Sequence, residues 1–145
     1  MTVKPIPEGY QQVVPYLLVE DVDRLLGFLG AAFNATVHQQ SRGQDGATSH
    51  ADVVIGDCHV MMGQARAPEY PAMPCMLYLY VEDTDTFYQQ AMTAGATSVQ
   101  EPRDTFYGDR NAGVKDPFGN QWWIGTHIED VPPDELARRA RAQGR

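Results

Sequence analysis

Four histidines, two cysteines, seven tyrosines and two tryptophans are the residues of this 145-residue chain with chemistry to offer. A metal centre needs several imidazole, thiolate or carboxylate donors at close, regular spacing. His38, His50, His59 and His127 are scattered over separate segments, and Cys58 and Cys75 form no paired motif. Neither cysteine shares a triad-like pattern with a histidine, so a covalent nucleophile mechanism has no support. The sequence contains no phosphate loop, Gly-x-Ser-x-Gly elbow, zincin motif or dinucleotide fingerprint. His127 stands as a candidate acid-base group or ligand. Asp109 and Arg110, in what reads as a long loop, are candidates to brace that loop by pairing or to hold a polar substrate group. Phe106 and Tyr107 beside them read as a lid.

Charge narrows the partners. The net charge is −8, yet four of the 11 basic residues, Arg138, Arg139, Arg141 and Arg145, crowd the last eight positions. The remaining chain is more acidic still, and such a body repels phosphate backbones, which argues against nucleic-acid binding. The basic tail reads as a solvated helix end. No apolar run reaches the ~20 residues of a membrane helix, and the polar, proline-containing start lacks a signal-peptide core. With two unpatterned cysteines, a reduced cytoplasmic setting is expected.

The elements that must position these residues come in duplicate. Tyr16-Leu17-Leu18-Val19-Glu20-Asp21-Val22-Asp23 returns as Tyr78-Leu79-Tyr80-Val81-Glu82-Asp83-Thr84-Asp85, 62 positions on, and Ala35-Thr36-Val37 returns as Thr97-Ser98-Val99. Two such copies nearly fill the chain, so they are modules of one pseudo-symmetric domain rather than solenoid units. In the first, residues 13–19 read as a strand, Asp21 as a helix cap, Leu25 to Phe33 as the helix and Asn34 as its end. Strands follow at 36–40, 50–55 and 58–63. In the second, the strand at 76–81 leads to a helix capped by Asp83 and ended by Gly95, then to strands at 97–100, 113–116 and 121–126. Asp116-Pro117-Phe118-Gly119-Asn120 is a structural turn. Residues 10–64 and 75–130 are therefore two β-α-β-β-β modules, with a proline-dense linker at 65–74 and a helical tail at 131–145. One helix covers only one face of such a sheet. The expected α+β fold places both modules in a curved eight-stranded mixed sheet with a concave inner cleft, and ligand sites favour such clefts.

These paired modules, the Val-Glu-Asp-x-Asp junctions, Ala94-Gly95-Ala96, and Phe106-Tyr107-Gly108-Asp109-Arg110 followed by the Asp116–Asn120 turn resemble the vicinal oxygen chelate superfamily. That group includes glyoxalase I, bleomycin-resistance proteins, fosfomycin-modifying enzymes and extradiol dioxygenases. The resemblance implies a homodimer, with module exchange made feasible by the linker. It also implies a divalent metal held by His, Glu or Gln on the first and last strands of each module. Here those positions carry Val14, Met76, Trp123 and either Val60 or Met61, none of them a ligand for a hard or borderline metal.

If Val14, Met76 and Trp123 face inward, strand alternation brings Tyr16, Leu18, Tyr78, Tyr80 and Gly125 with them, and turns Leu17, Val19, Leu79, Val81 and Trp122 toward the helices. Tyr16, Tyr78, Tyr80 and Trp123, with Phe106, Tyr107 and Arg110, form the expected site for a flat, partly polar aromatic ligand. No metal or other cofactor is expected. The leading expectation is a metal-free binder that sequesters a drug or natural product, as bleomycin-resistance proteins do. The alternative is a lyase, isomerase or dioxygenase with a displaced metal site or an acid-base pair such as Tyr78 and His127. A third reading is an interaction module with a vestigial pocket.

Overall fold

The computed structural model describes residues 2–145, and the chain divides into two compact units, 1–75 and 76–145. In the first, β1 (Tyr16–Val19), α1 (Val22–Phe33), β2 (Thr36–Arg42), β3 (Thr48–Ile55) and β4 (Cys58–Gln64) give a four-stranded sheet in the order β1-β4-β3-β2. In the second, β5 (Met76–Tyr80), α2 (Thr84–Thr93), β6 (Thr97–Asp104), β7 (Asp109–Lys115) and β8 (Gln121–His127) repeat that order as β5-β8-β7-β6, and α3 (Pro133–Ala142) follows. Each unit pairs its first and last strands in parallel and the rest antiparallel. The expected α+β pattern of two β-α-β-β-β modules is present, with the eight strands divided between two four-stranded mixed sheets.

The helix ends follow from local chemistry. Asp21 accepts from the Arg24 amide at 3.0 Å and Asp83 from the Thr86 amide at 3.2 Å, which satisfies one otherwise orphaned donor at each N-terminus. Asn34 closes α1 in the left-handed region at φ 58°. α1 then buries Leu25, Leu29, Ala32 and Phe33 against β3 and β4, where Val53, Val60 and Met62 meet it. α2 lies on β6, β7 and β8, over Val114, Trp122 and Ile124.

Several boundaries differ from expectation, each for a physical reason. β1 begins only at Tyr16, because Pro15 has no amide to donate; its carbonyl still accepts from Met61. Residues 65–74 are not a free linker. They fold back on β1, where the Ala65 amide reaches Val19 O at 2.8 Å and the Met73 amide reaches Leu18 O at 3.1 Å. The long loop shrinks to a tight turn, since β6 runs to Asp104 and β7 starts at Asp109. Pro102 had obscured β6; it sits on an edge strand at a register break, where its missing donor costs nothing. The tail is not simply solvated either. Arg139 holds both Glu129 carboxylate oxygens at 2.9 Å and the Phe106 carbonyl at 3.1 Å, which pins α3 to the β6–β7 turn although α3 buries no residue.

The Asp116–Asn120 turn is knitted by one buried carboxylate, 5 % exposed. Asp116 Oδ1 accepts from the Phe118 and Asn120 amides, and Oδ2 from Asn120 Nδ2 and Trp122 Nε1 at 3.0 Å. Hydrogen bonds to a charged group are the strong ones, so Asp116→Ala should destabilise the protein by about 2–4 kcal/mol in urea denaturation. A loss below about 0.5 kcal/mol would mean the turn holds without its carboxylate.

Candidate functional site

Strand alternation leaves one face of the second unit's sheet away from α2, and this face carries Met76, Tyr78, Tyr80, Asn111 and Trp123. Met76, Tyr78 and Tyr80 are exposed, while Trp122 and Ile124 on the other side are buried. The rings lie flat because glycines face them on neighbouring strands. A Cβ on Gly125 would stand 2.7 Å from Tyr78 Cε1, and one on Gly113 would stand 2.9 Å from Trp123 Cζ2. Above this floor is a cavity of about 560 Å³, walled by Tyr78, Trp123, Phe106, Tyr107, Asn111 and Arg103, with Gln143 and Arg145 closing it from the tail. A volume of that size suits a small organic ligand.

Asp109, 4 % exposed, anchors the polar half of the face. Its Oδ2 accepts both the Tyr78 and Tyr80 hydroxyls at 2.8 Å, and its Oδ1 lies 3.2 Å from His127 Nδ1. The other His127 nitrogen lies 2.7 Å from Asp130. Asn111 Nδ2 donates to the hydroxyl oxygens of Tyr78 at 3.1 Å and Tyr107 at 2.7 Å, and Gln100 donates to Asn111 Oδ1 at 2.9 Å. Burial opposes the Asp109 charge, but the bonds from Tyr78, Tyr80 and His127 outweigh it and hold this carboxyl below its ordinary range. Burial, reinforced by the Asp109 carboxylate, holds the Tyr78 phenol far above its ordinary range against the opposing bond from Asn111. Tyr80 is raised by its bond to Asp109 and by burial. His127 is raised by its bond to Asp130 and then by Asp109.

Of the residues expected at a site, Tyr78, Trp123, Phe106 and Tyr107 meet around this one cavity. Tyr80 lies outside its wall and reaches it through Asp109. Tyr16 belongs to a separate cavity of about 560 Å³ in the first unit, with His50 and Tyr70. Arg110 does not face the ligand space. It grips Asp85 at 2.8 and 3.0 Å and Asp104 at 3.0 Å. Asp109 and Arg110 do not pair, because as neighbours on β7 they point to opposite faces. His127 is outside the cavity wall. Gln100, Arg103, Asn111 and the tail residues had not been expected here. For Asn111 the signal was the alternation Asp109-x-Asn111-x-Gly113, hidden by taking 101–112 as loop; that reading hid Arg103 as well, and no local pattern points to Gln100 or the tail residues.

The register resolves the family's metal positions. Tyr16 pairs with Met61 as Tyr78 pairs with Trp123, so Met61, and not the buried Val60, is the counterpart of Trp123. Val14, Met61, Met76 and Trp123 offer no carboxylate oxygen or imidazole nitrogen, and this donor set does not fit a divalent metal. Among the described residues, no group of three or more His, Cys, Asp or Glu side chains is placed to hold one. The buried His59 bonds Asp52 at 2.8 Å under a stacked Tyr10 ring whose hydroxyl also donates to Asp52.

Paired β-α-β-β-β modules with an open sheet face define a protein of the vicinal oxygen chelate type. The family model described as Glyoxalase/Bleomycin resistance protein/Dioxygenase superfamily matches residues 10–124, and the chain belongs to that superfamily. An uncharacterised protein of Mycobacterium bovis is 33% identical over 140 residues, covering 90% of this chain and 92% of its own. The crystal structure of TioX from Micromonospora sp. ML1 superposes with a TM-score of 0.71 at 25% identity, over 81% of this chain and 99% of that one. The fosfomycin resistance protein FosX from Mesorhizobium loti shares the fold at 18% identity and a TM-score of 0.59, over 80% and 91% of the two chains.

Two outcomes follow from this geometry. Gly125→Ala must displace the Tyr78 ring and break its bonds to Asp109 and Asn111, so urea denaturation should show a loss of about 1–3 kcal/mol. Equal stability would mean the ring moves freely. His127, raised in the fold, contributes stability that is complete below its unfolded value near 6.5 and fades as pH climbs through the folded value. The Tm advantage of wild type over His127→Asn should therefore be largest below about pH 6 and shrink toward about pH 9. A constant difference across that range would remove His127 from the pH response.

Proposed function

We propose that this protein is a metal-free small-molecule binder that takes a flat, partly polar aromatic compound on the open face of its second module. The observation that carries this reading is the cavity of about 560 Å³ in which Tyr78, Trp123, Phe106 and Tyr107 converge. Each offset-stacked ring contact adds about 0.5–1.5 kcal/mol beyond area burial. The metal positions of the superfamily support binding over metal-dependent turnover, because Val14, Met61, Met76 and Trp123 bring no suitable donors. Acid-base catalysis has weak support as well. Both His127 nitrogens face carboxylates outside the cavity wall, and the Tyr78 phenol is held too high to serve as a base near neutral pH.

The setting we propose is sequestration of a drug or natural product, after the manner of bleomycin-resistance proteins, by a cytoplasmic homodimer. That one protein sharing the fold is a fosfomycin resistance protein is consistent with it.

Intrinsic fluorescence tests the site. Planar aromatic compounds should quench saturably, and Trp123→Ala should weaken that binding by roughly tenfold or more. The buried Trp122 remains as reporter. Quenching of equal strength in the variant would place binding elsewhere. Stoichiometric zinc, nickel, manganese or iron retained by the untagged protein would overturn the metal-free reading.

A further inference from the structure

The hydrogen bonds around the cavity run in one direction and leave donors facing the ligand. Asp109 is the terminus: its carboxylate accepts hydrogen bonds from the Tyr78 and Tyr80 hydroxyls and faces His127. Gln100 Nε2 donates to Asn111 O at 3.3 Å and Oδ1 at 2.9 Å. Asn111 Nδ2 in turn donates to Tyr78 and Tyr107. The Tyr107 hydroxyl oxygen is therefore already an acceptor, and among the described residues its own proton goes to none. At 40% exposure it is free to donate into the cavity.

Arg103 adds a second donor. It stands opposite Asn111 on the β6–β7 pair and borders the same cavity. The one acidic side chain in that wall, Asp104, is bonded to Arg110 instead. Among the described residues no carboxylate side chain pairs with Arg103. Arg145 closes the wall with its guanidinium 5.7 Å above the Phe106 ring. In a chain of net charge −8, this cavity thus sets two guanidinium groups and the Tyr107 hydroxyl beside aromatic rings, against one carboxylate, Asp104, that Arg110 already engages. Long-range repulsion from the acidic body fades beyond about 10 Å at 0.1 M salt, so contact donors decide what binds.

We propose that the cavity selects aromatic oxyacids: a planar ring stacked at Trp123 and Tyr78, with a carboxylate, sulfonate or phosphate group held by the Tyr107 hydroxyl and the Arg103 guanidinium. This deepens the reading of the site as a binder of aromatic compounds and rests on it. Arg103 suits the role because its fork matches an oxyacid bidentately, and charge-assisted bonds are about twice as strong as neutral ones.

The test compares 2-naphthoate with 2-naphthamide, which share a ring system and differ in charge. Calorimetry on the full chain should show the acid binding roughly tenfold tighter or more. Arg103→Met and Arg103→Gln should abolish that preference, so that acid and amide bind alike, and Tyr107→Phe should reduce it. Because Arg103 is exposed, both of its variants should fold, which circular dichroism checks. Equal affinity for acid and amide overturns the oxyacid inference and leaves the aromatic-binding reading standing. So does an acid preference that survives both Arg103 variants. Binding of neither probe overturns both readings.

Discussion

A four-stranded sheet with one helix has a face that its own module does not cover. Most of this protein's chemistry follows from that constraint. The period of two along each strand sends Leu17, Val19, Trp122 and Ile124 to the covered face, where they are buried, and their neighbours Tyr16, Tyr78 and Trp123 to the open one. An open face made of large rings would stand up and collapse on itself. Here Gly113 and Gly125 let the rings lie down, and Gly63 does the same for Tyr16 in the first module, 62 positions before Gly125. The two modules thus share a floor plan: a ring on the first strand rests on a glycine of the last.

They do not share chemistry. Asn111 stands opposite Gly125 where His50 stands opposite Gly63. The second module gathers two tyrosines and a histidine around the buried Asp109, where the first sets one tyrosine, Tyr10, and one histidine, His59, on the buried Asp52. That arrangement keeps the Tyr78 and Tyr80 phenols protonated and orients them. A proton held so firmly is poor for acid-base exchange at neutral pH and good for presenting a rigid, preorganised surface. The same network runs from Tyr78 through Asn111 to Tyr107, so the hydrogen bonds at the cavity rim trace back to an interior carboxylate.

Much of the fold was legible locally. Asp21, Asp83, Asn34 and Gly95 mark helix ends through interactions within a few residues, and the Asp116–Asn120 turn is held by its own side chains. Alternation and the repeat assign Tyr78 and Trp123 to one face, and Phe106 and Tyr107 were legible only as a loop segment, which the structure places beside that face. Arg103 and Asn111 were not. Pro102 breaks the strand pattern before Asn111, and Asp109-Arg110-Asn111-Ala112 lacks an apolar rhythm. Those residues become strand only because β8 supplies partners for β7 from Asp109 to Lys115. Arg110 looked available for a ligand because its partner Asp85 lies 25 residues away on α2.

By itself the sequence determined the duplicated β-α-β-β-β order, the faces of the strand-borne rings Tyr16, Tyr78, Tyr80, Trp122 and Trp123, and the absence of metal-binding side chains at Val14, Met76 and Trp123. These depend on residue type and on spacing along a strand or helix. The tertiary structure alone decided which polar groups stay available. The register of β7 against β6 and β8 brings Asp109 to Tyr78, Tyr80 and His127, and Asn111 to Gln100 and Tyr107. The contacts Arg139 makes with Glu129 and Phe106 carry the tail to the cavity wall. The direction of a hydrogen bond depends on who stands across the sheet, and no local pattern encodes that neighbour.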